Sequence, residues 1–139
     1  MVPGSPRVLS KLLAPRRYKD VAYLNKIAPE LYGGQLRSNP DLIRGYTASL
    51  KNPHWLGYVY QQMAFWGWSS LPWLTSLRQR TLVLAGRDDP IAPLINSRIL
   101  AWLIPRARLH VVDDGHLFLM VGPLAATPVI RTFLLSPGG

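Results

Sequence analysis

The sequence contains no cysteine, which excludes disulfides, thiol catalysis and cysteine-ligated metals. It fits a reducing compartment, and a cytoplasmic location is the expectation. Acidic residues are scarce, seven against sixteen lysines and arginines, for a net charge of +9. The cations are scattered from Arg7 to Arg131 with no dense basic stripe and no nucleic-acid motif, so nucleic acid is not an expected partner. The three histidines, His54, His110 and His116, lack metal-ligand spacing, and neither a metal nor another cofactor is expected. No apolar run approaches the roughly 18 residues of a membrane helix. The first twenty residues do not read as a signal peptide, because Pro3, Pro6, Arg7, Lys11 and Pro15 interrupt the apolar positions.

What is present is a chain of 139 residues that is 48% hydrophobic, enough for a core and about the size of one small domain. Its two parts differ in grammar. Residues 1–76 are rich in proline, glycine, tryptophan and tyrosine. Short helices are expected at 8–13 and 19–27, with Pro29, Gly33 and Gly34 ending the second. Another is expected from Asn39 as N-cap, with Pro40 at its first position, to about residue 50. A further one covers 55–66. Residues 77–139 are more regular: a strand at 81–86, a helix at 95–103, a strand at 109–112 and a closing helix at 123–135. Strand, helix, strand, helix is the order of a parallel α/β sheet. The first strand is apolar on both faces, as in a sheet covered on both sides, and two strands alone cannot provide that setting. The expected architecture is therefore the later part of an α/β protein, a helical layer followed by two parallel strands and their helices.

Both strands stop at polar turns. The first is followed by Gly86-Arg87-Asp88-Asp89-Pro90, the second by Asp113-Asp114-Gly115-His116. In a parallel sheet both turns lie at the carboxyl edge, where α/β proteins place their sites. Adjacent strands run about 4.8 Å apart, so an acid on one turn can meet a histidine on the next. Such a carboxylate fixes the imidazole tautomer and stabilises the imidazolium, leaving the other nitrogen to deprotonate a nucleophile. The order, acid then histidine, is that of the Ser, Asp, His scheme. Asp89 is the candidate acid and His116 the candidate base, and Asp88 is expected to cap or solvate its loop. His110, inside the second strand, and His54, between Pro53 and Trp55, are read as structural. The nucleophile is missing: no Gly-x-Ser-x-Gly occurs, and around Ser69 the second glycine is absent and Pro72 follows.

Several stretches together resemble the carboxyl-terminal half of intracellular poly(3-hydroxyalkanoate) depolymerases, which are α/β-hydrolases. They are MVPGSP at the start, APRRY at 14–18, IAPELYGG at 27–34, GYVYQ at 57–61, GWSSLPWL at 67–74, TLVLAGRDDPIAPLIN at 81–96 and DDGHLFL at 113–119. The resemblance implies an α/β-hydrolase fold fragment: a helical cap over 1–76, then the last two strands and helices of the core over 77–139. Asp89 and His116 match the family's triad acid and base. The serine elbow and oxyanion loop would precede Met1, so a missing amino-terminal half becomes an expected partner and the chain alone is expected to be inactive. The implied substrate is a hydrophobic polyester, with the polymer granule surface as a docking site. Tyr58, Tyr60, Phe65, Trp66 and Trp68 are candidate substrate contacts in the cap, or else cap core. Two alternatives stand beside this: an esterase or lipase of the same fold, and a granule-binding fragment without catalysis.

Overall fold

A computed structural model describes residues 2–45, 55–65 and 68–136, and within 55–65 the side chains of Trp55, Tyr58, Gln62 and Phe65 are outside the description. His54 and the expected helix beyond residue 45 lie outside the described residues, as does Trp66.

The first part is helical. Helix α1 (Pro6–Leu13) starts at Ser5, whose hydroxyl accepts the Val8 N–H, with proline in its first turn. A short helix α2 (Arg16–Lys19) leads to α3 (Val21–Tyr32), capped by Asp20, which accepts the Tyr23 N–H at 2.9 Å. Arg16 holds the same carboxylate from one turn earlier. The Tyr23 amide and then Arg16 keep Asp20 below the usual aspartate range.

Pro29 does not end α3, contrary to the sequence reading; the helix runs on to Tyr32. An internal proline costs about 3 kcal/mol. The apolar stripe of Leu24, Ile27 and Ala28 continues, however, through Leu31 and Tyr32, both buried. Burying two large side chains contributes about 1.5–3 kcal/mol each, which offsets that cost. The stop comes at Gly33 and Gly34, both with positive φ, 66° and 57°. Helix α4 (Gln35–Ser38) and a 3-10 turn (Pro40–Leu42) follow, and 43–45 are helical. Pro40 opens the turn as expected, but the Asn39 side chain makes no capping bond.

Helix α5 (Trp55–Phe65) and a 3-10 helix (Leu71–Ser76) precede strand β1 (Thr81–Gly86). Then come α6 (Leu94–Leu103) and β2 (Ala107–Val112). The strands pair in parallel with Thr81 opposite Ala107 and Gly86 opposite Val112. β2 thus begins two residues earlier than expected, because Ala107 and Arg108 find backbone partners in Thr81 and Leu82. The closing segment is broken into α7 (Phe118–Val121), a 3-10 turn (Pro123–Ala125) and α8 (Thr127–Leu135), with Pro128 in the first turn of α8. Among the described residues, no helix is long and apolar enough to cross a membrane.

The larger core joins both parts of the chain. Leu24, Ile27, Ala28, Leu31, Tyr32, Leu36 and Ile43 of the helical layer enclose Leu117, with Ile91 and Val121 packed against them. Ile91 and Leu117 belong to the two loops that leave β1 and β2. Those loops are consequently fixed from the helical layer as well as from the strands.

Candidate active site

Register places the carboxyl ends of β1 and β2 side by side, and the loops that leave them stay in contact. Arg87 donates its N–H to the Val112 carbonyl, and Asp88 donates to the Asp114 carbonyl at 3.0 Å. On the β1 loop, Asp89 Oδ1 accepts the backbone N–H groups of Ile91 and Ala92, both at 2.9 Å. This local turn presents the second oxygen, Oδ2, to His116 Nδ1 at 2.8 Å, across 27 residues of sequence. The Asp89 side chain is only 9% exposed, the His116 ring 36%.

Asp89 is screened and fully committed: two amides on one oxygen, one imidazole on the other. In neutral His116 this arrangement puts the proton on Nδ1 and leaves the Nε2 lone pair outward. Among the described residues nothing bonds Nε2. An imidazole so oriented can take up a proton at Nε2 while the carboxylate stabilises the resulting charge.

His116 is held from the helical layer too. Its N–H donates to the Tyr32 carbonyl at 2.7 Å, and its ring lies nearly parallel to the Tyr32 ring, 14° between planes and 6.3 Å between centroids. The turn after Tyr32 is wedged between the two loops. Gly34 donates its N–H to Asp88 Oδ2 at 2.8 Å, and Arg37 Nε donates to the same oxygen at 2.7 Å. Asp88 therefore does more than cap or solvate its own loop; it ties that loop to a segment more than fifty residues away. Partial burial raises its pKa, but the Gly34 amide and the Arg37 guanidinium outweigh this and leave it below the ordinary value. Asp114, 4% exposed, binds the other side of the turn. It accepts Gln35 N–H and Gln35 Nε2, each at 2.8 Å, and Gly115 N–H at 2.7 Å. A side chain on Gly34 would collide with Asp114 and Gly115, and one on Gly115 with Tyr32 and Gly33, so this approach requires glycine on both sides.

Tyr32, Gln35 and Asp114 were not legible as site neighbours. Asp114 stood in the quoted DDGH, and IAPELYGG marked a break, but nothing local in the sequence joins positions this far apart.

The remaining candidates lie elsewhere. His110 sits within β2 opposite Leu84. Ser69 is exposed, accepts the Leu71 N–H at 3.3 Å and leads into a 3-10 helix rather than following a strand. Trp68 and Tyr60 are exposed, 74% and 65%. Tyr58 and Phe65 lie on α5, with their side chains outside the description.

A parallel strand pair with an acid and a histidine on successive carboxyl-edge loops defines a class, and the family profile of the alpha/beta hydrolase fold matches residues 30–123. The chain belongs to the alpha/beta hydrolase fold family. Within it, the chain is 48% identical over 134 residues to a poly(3-hydroxyalkanoate) depolymerase from Ectopseudomonas oleovorans, which covers 96% of this chain and 47% of the relative. It is 32% identical over 115 residues to a 2-hydroxy-6-oxo-6-phenylhexa-2,4-dienoate hydrolase from Comamonas testosteroni, covering 79% of this chain and 39% of that protein. Among solved structures, a thermophilic esterase from Thermogutta terrifontis with malate bound superposes with a TM-score of 0.69 at 26% identity, over 95% of this chain and 51% of that one. An enol-lactonase from Burkholderia xenovorans LB400 superposes at 0.66 and 19% identity, over 88% of this chain and 48% of that one, and shares the fold. The chain thus spans about half the length or less of the relatives it matches.

Proposed function

We propose that this chain carries the acid–base half of a serine-type carboxylic ester hydrolase whose substrate is a poly(3-hydroxyalkanoate). The observation that carries the reading is the bond of 2.8 Å between Asp89 Oδ2 and His116 Nδ1, with Asp89 Oδ1 fixed by two amides. In this reading residues 1–76 act as a cap and 77–139 as the carboxyl-terminal part of the hydrolase core. The serine arrives on a strand–turn–helix elbow that this sequence does not contain, and the free edge of β1 is where the strands of that segment join the sheet.

The reaction is acyl transfer. Serine attacks the ester carbonyl as His116 Nε2 takes its proton. The Nδ1–H bond to Asp89 steadies the imidazolium. His116 then protonates the departing alkoxide, which leaves as the hydroxyl end of the shortened polymer. Water, deprotonated by the same Nε2, releases the acyl group and restores the serine.

The depolymerase reading, over a general esterase, rests on the similarity of nearly the whole chain to the named depolymerase. Residues 55–76 hold no charged side chain in a chain of net +9, and they present Tyr60, Met63, Trp68 and Trp73 to solvent. That surface suits a greasy polyester, and it equally supports the second reading, a granule-binding fragment. In the first reading Trp68 and Tyr60 contact polymer, together with Tyr58, Phe65 and Trp66. The active protein acts at polymer granules in the cytoplasm.

The test joins the amino-terminal half of the Ectopseudomonas oleovorans depolymerase to this chain and compares polymer granules with a short soluble ester. Release of hydroxy acid from granules is expected. Cleavage of the soluble ester alone would replace the depolymerase reading by a general esterase. Residues 1–139 alone are expected to give no turnover; granule binding without turnover by the joined protein would favour the binding reading.

A further inference from the structure

Among the described residues the Asp114 side chain bonds to neither His116 nor Asp89, yet it is buried near them and accepts three hydrogen bonds. Its Oδ1 accepts Gly115 N–H and Gln35 N–H, and its Oδ2 accepts Gln35 Nε2. Hydrogen bonds to an ionised carboxylate are about twice as strong as neutral ones. Two of the three bonds to the buried Asp114 carboxyl come from Gln35, a residue of the helical layer.

Between Gln35 and Tyr32 stand only Gly33 and Gly34. Both have positive φ and lie close against the β1 and β2 loops, Gly33 on Asp88 and Gly34 on Asp114 and Gly115. The turn has no slack. Fixing Gln35 therefore fixes the Tyr32 carbonyl and ring, and these are the groups that hold the His116 N–H and the face of its imidazole. The His116 ring has two rotatable bonds of its own, and its bond to Asp89 alone does not determine its plane.

The geometry points to Asp114 as a positioning residue for His116. Through Gln35 and the 32–35 turn it sets the orientation in which Nδ1 meets Asp89. This rests on the Asp89–His116 reading above, and the test separates the two. The chain, labelled with 15N, is compared with Asp89→Asn, Asp114→Ala and Gln35→Met. The ring-nitrogen resonances of His116, identified by their loss in His116→Ala, report at neutral pH which nitrogen carries the proton. Amide exchange reports the His116 N–H, with the Val111 amide of β2 as an internal control for the fold.

The parent is expected to show the Nδ1–H form. Asp114→Ala and Gln35→Met are expected to lose that preference, with the His116 amide exchanging at least about tenfold faster, the effect of losing a charge-assisted bond, and Val111 unchanged. Gln35→Met removes only the Nε2 bond and leaves the Gln35 N–H on Asp114 Oδ1, so its loss is expected to be the smaller; Asp114→Ser, too short to bond both Gln35 groups, stands in if Asp114→Ala does not fold. Retention of the Nδ1–H form in Asp114→Ala, or in Asp114→Ser where Asp114→Ala does not fold, would overturn the positioning role while leaving the pair intact. Retention in Asp89→Asn would overturn the pair itself.

Discussion

The helical stretch 2–45 and the strand-bearing part of this chain are finished to different degrees, while 55–76 between them leaves Tyr60, Met63, Trp68 and Trp73 open to solvent. In the first, Leu31, Leu36 and Ile43 are almost wholly buried, and Val8, Leu24 and Ile27 close around them. In the second, the separate core is Val112, Phe118 and Ala126, with Leu84 and Ile130 alongside. Its helices leave Trp102, Leu124, Leu134 and Leu135 open to solvent, Trp102 at 82%. A two-stranded sheet cannot cover its own helices. The difference teaches that the site loops draw their order from the helical layer: Leu117 and Ile91 are anchored there, and the turn at Gly33–Gly34 bonds both loops.

This contrast can be broken at three places. The largest effect is expected in the first core, where Leu31→Ala should cost about 2–5 kcal/mol in denaturant unfolding. Because that core holds the site loops, the His116 amide should lose protection in the same variant. A loss under 1 kcal/mol would mean that the layer is not the rigid half.

The tie between Asp88 and Arg37 should matter less. Both side chains are about half exposed, and exposed pairs contribute about 0–1 kcal/mol. The pKa of Asp88 is depressed in the folded state, so its contribution is present above the ordinary aspartate value of 3.8 and is lost as pH falls through the lower folded value. Urea midpoints of the parent and Asp88→Asn should differ at neutral pH and converge in acid below 3.8. A gap that widens in acid would contradict the assignment. The smallest effect is expected at Trp102, where Trp102→Ser should change stability by no more than about 0.5 kcal/mol. A larger loss would show that something already covers α6.

Much of this was legible in the sequence because it is local. The run Thr81–Gly86 is apolar, ends at glycine and forms β1 as read. Asp89 and His116 could be paired on paper because parallel strands fix where their loops emerge. What stayed hidden was settled by distant partners. Pro29 looked like a stop, yet the burial of Leu31 and Tyr32 carries α3 past it. Asp88 looked like a solvated loop residue until Gly34 and Arg37 were seen to bond it. Asp114 was visible only as part of DDGH, and its partner was not, since Gln35 lies 79 residues away.

The central claim is that Asp89 and His116 work as acid and base on a serine supplied by another segment. Its most direct test is ester hydrolysis by the joined protein, with His116→Ala and Asp89→Asn alongside the unsubstituted chain. The account predicts hydroxy-acid release that falls by about 10³-fold or more in His116→Ala and also steeply in Asp89→Asn. Release that survives His116→Ala in a folded protein would contradict it.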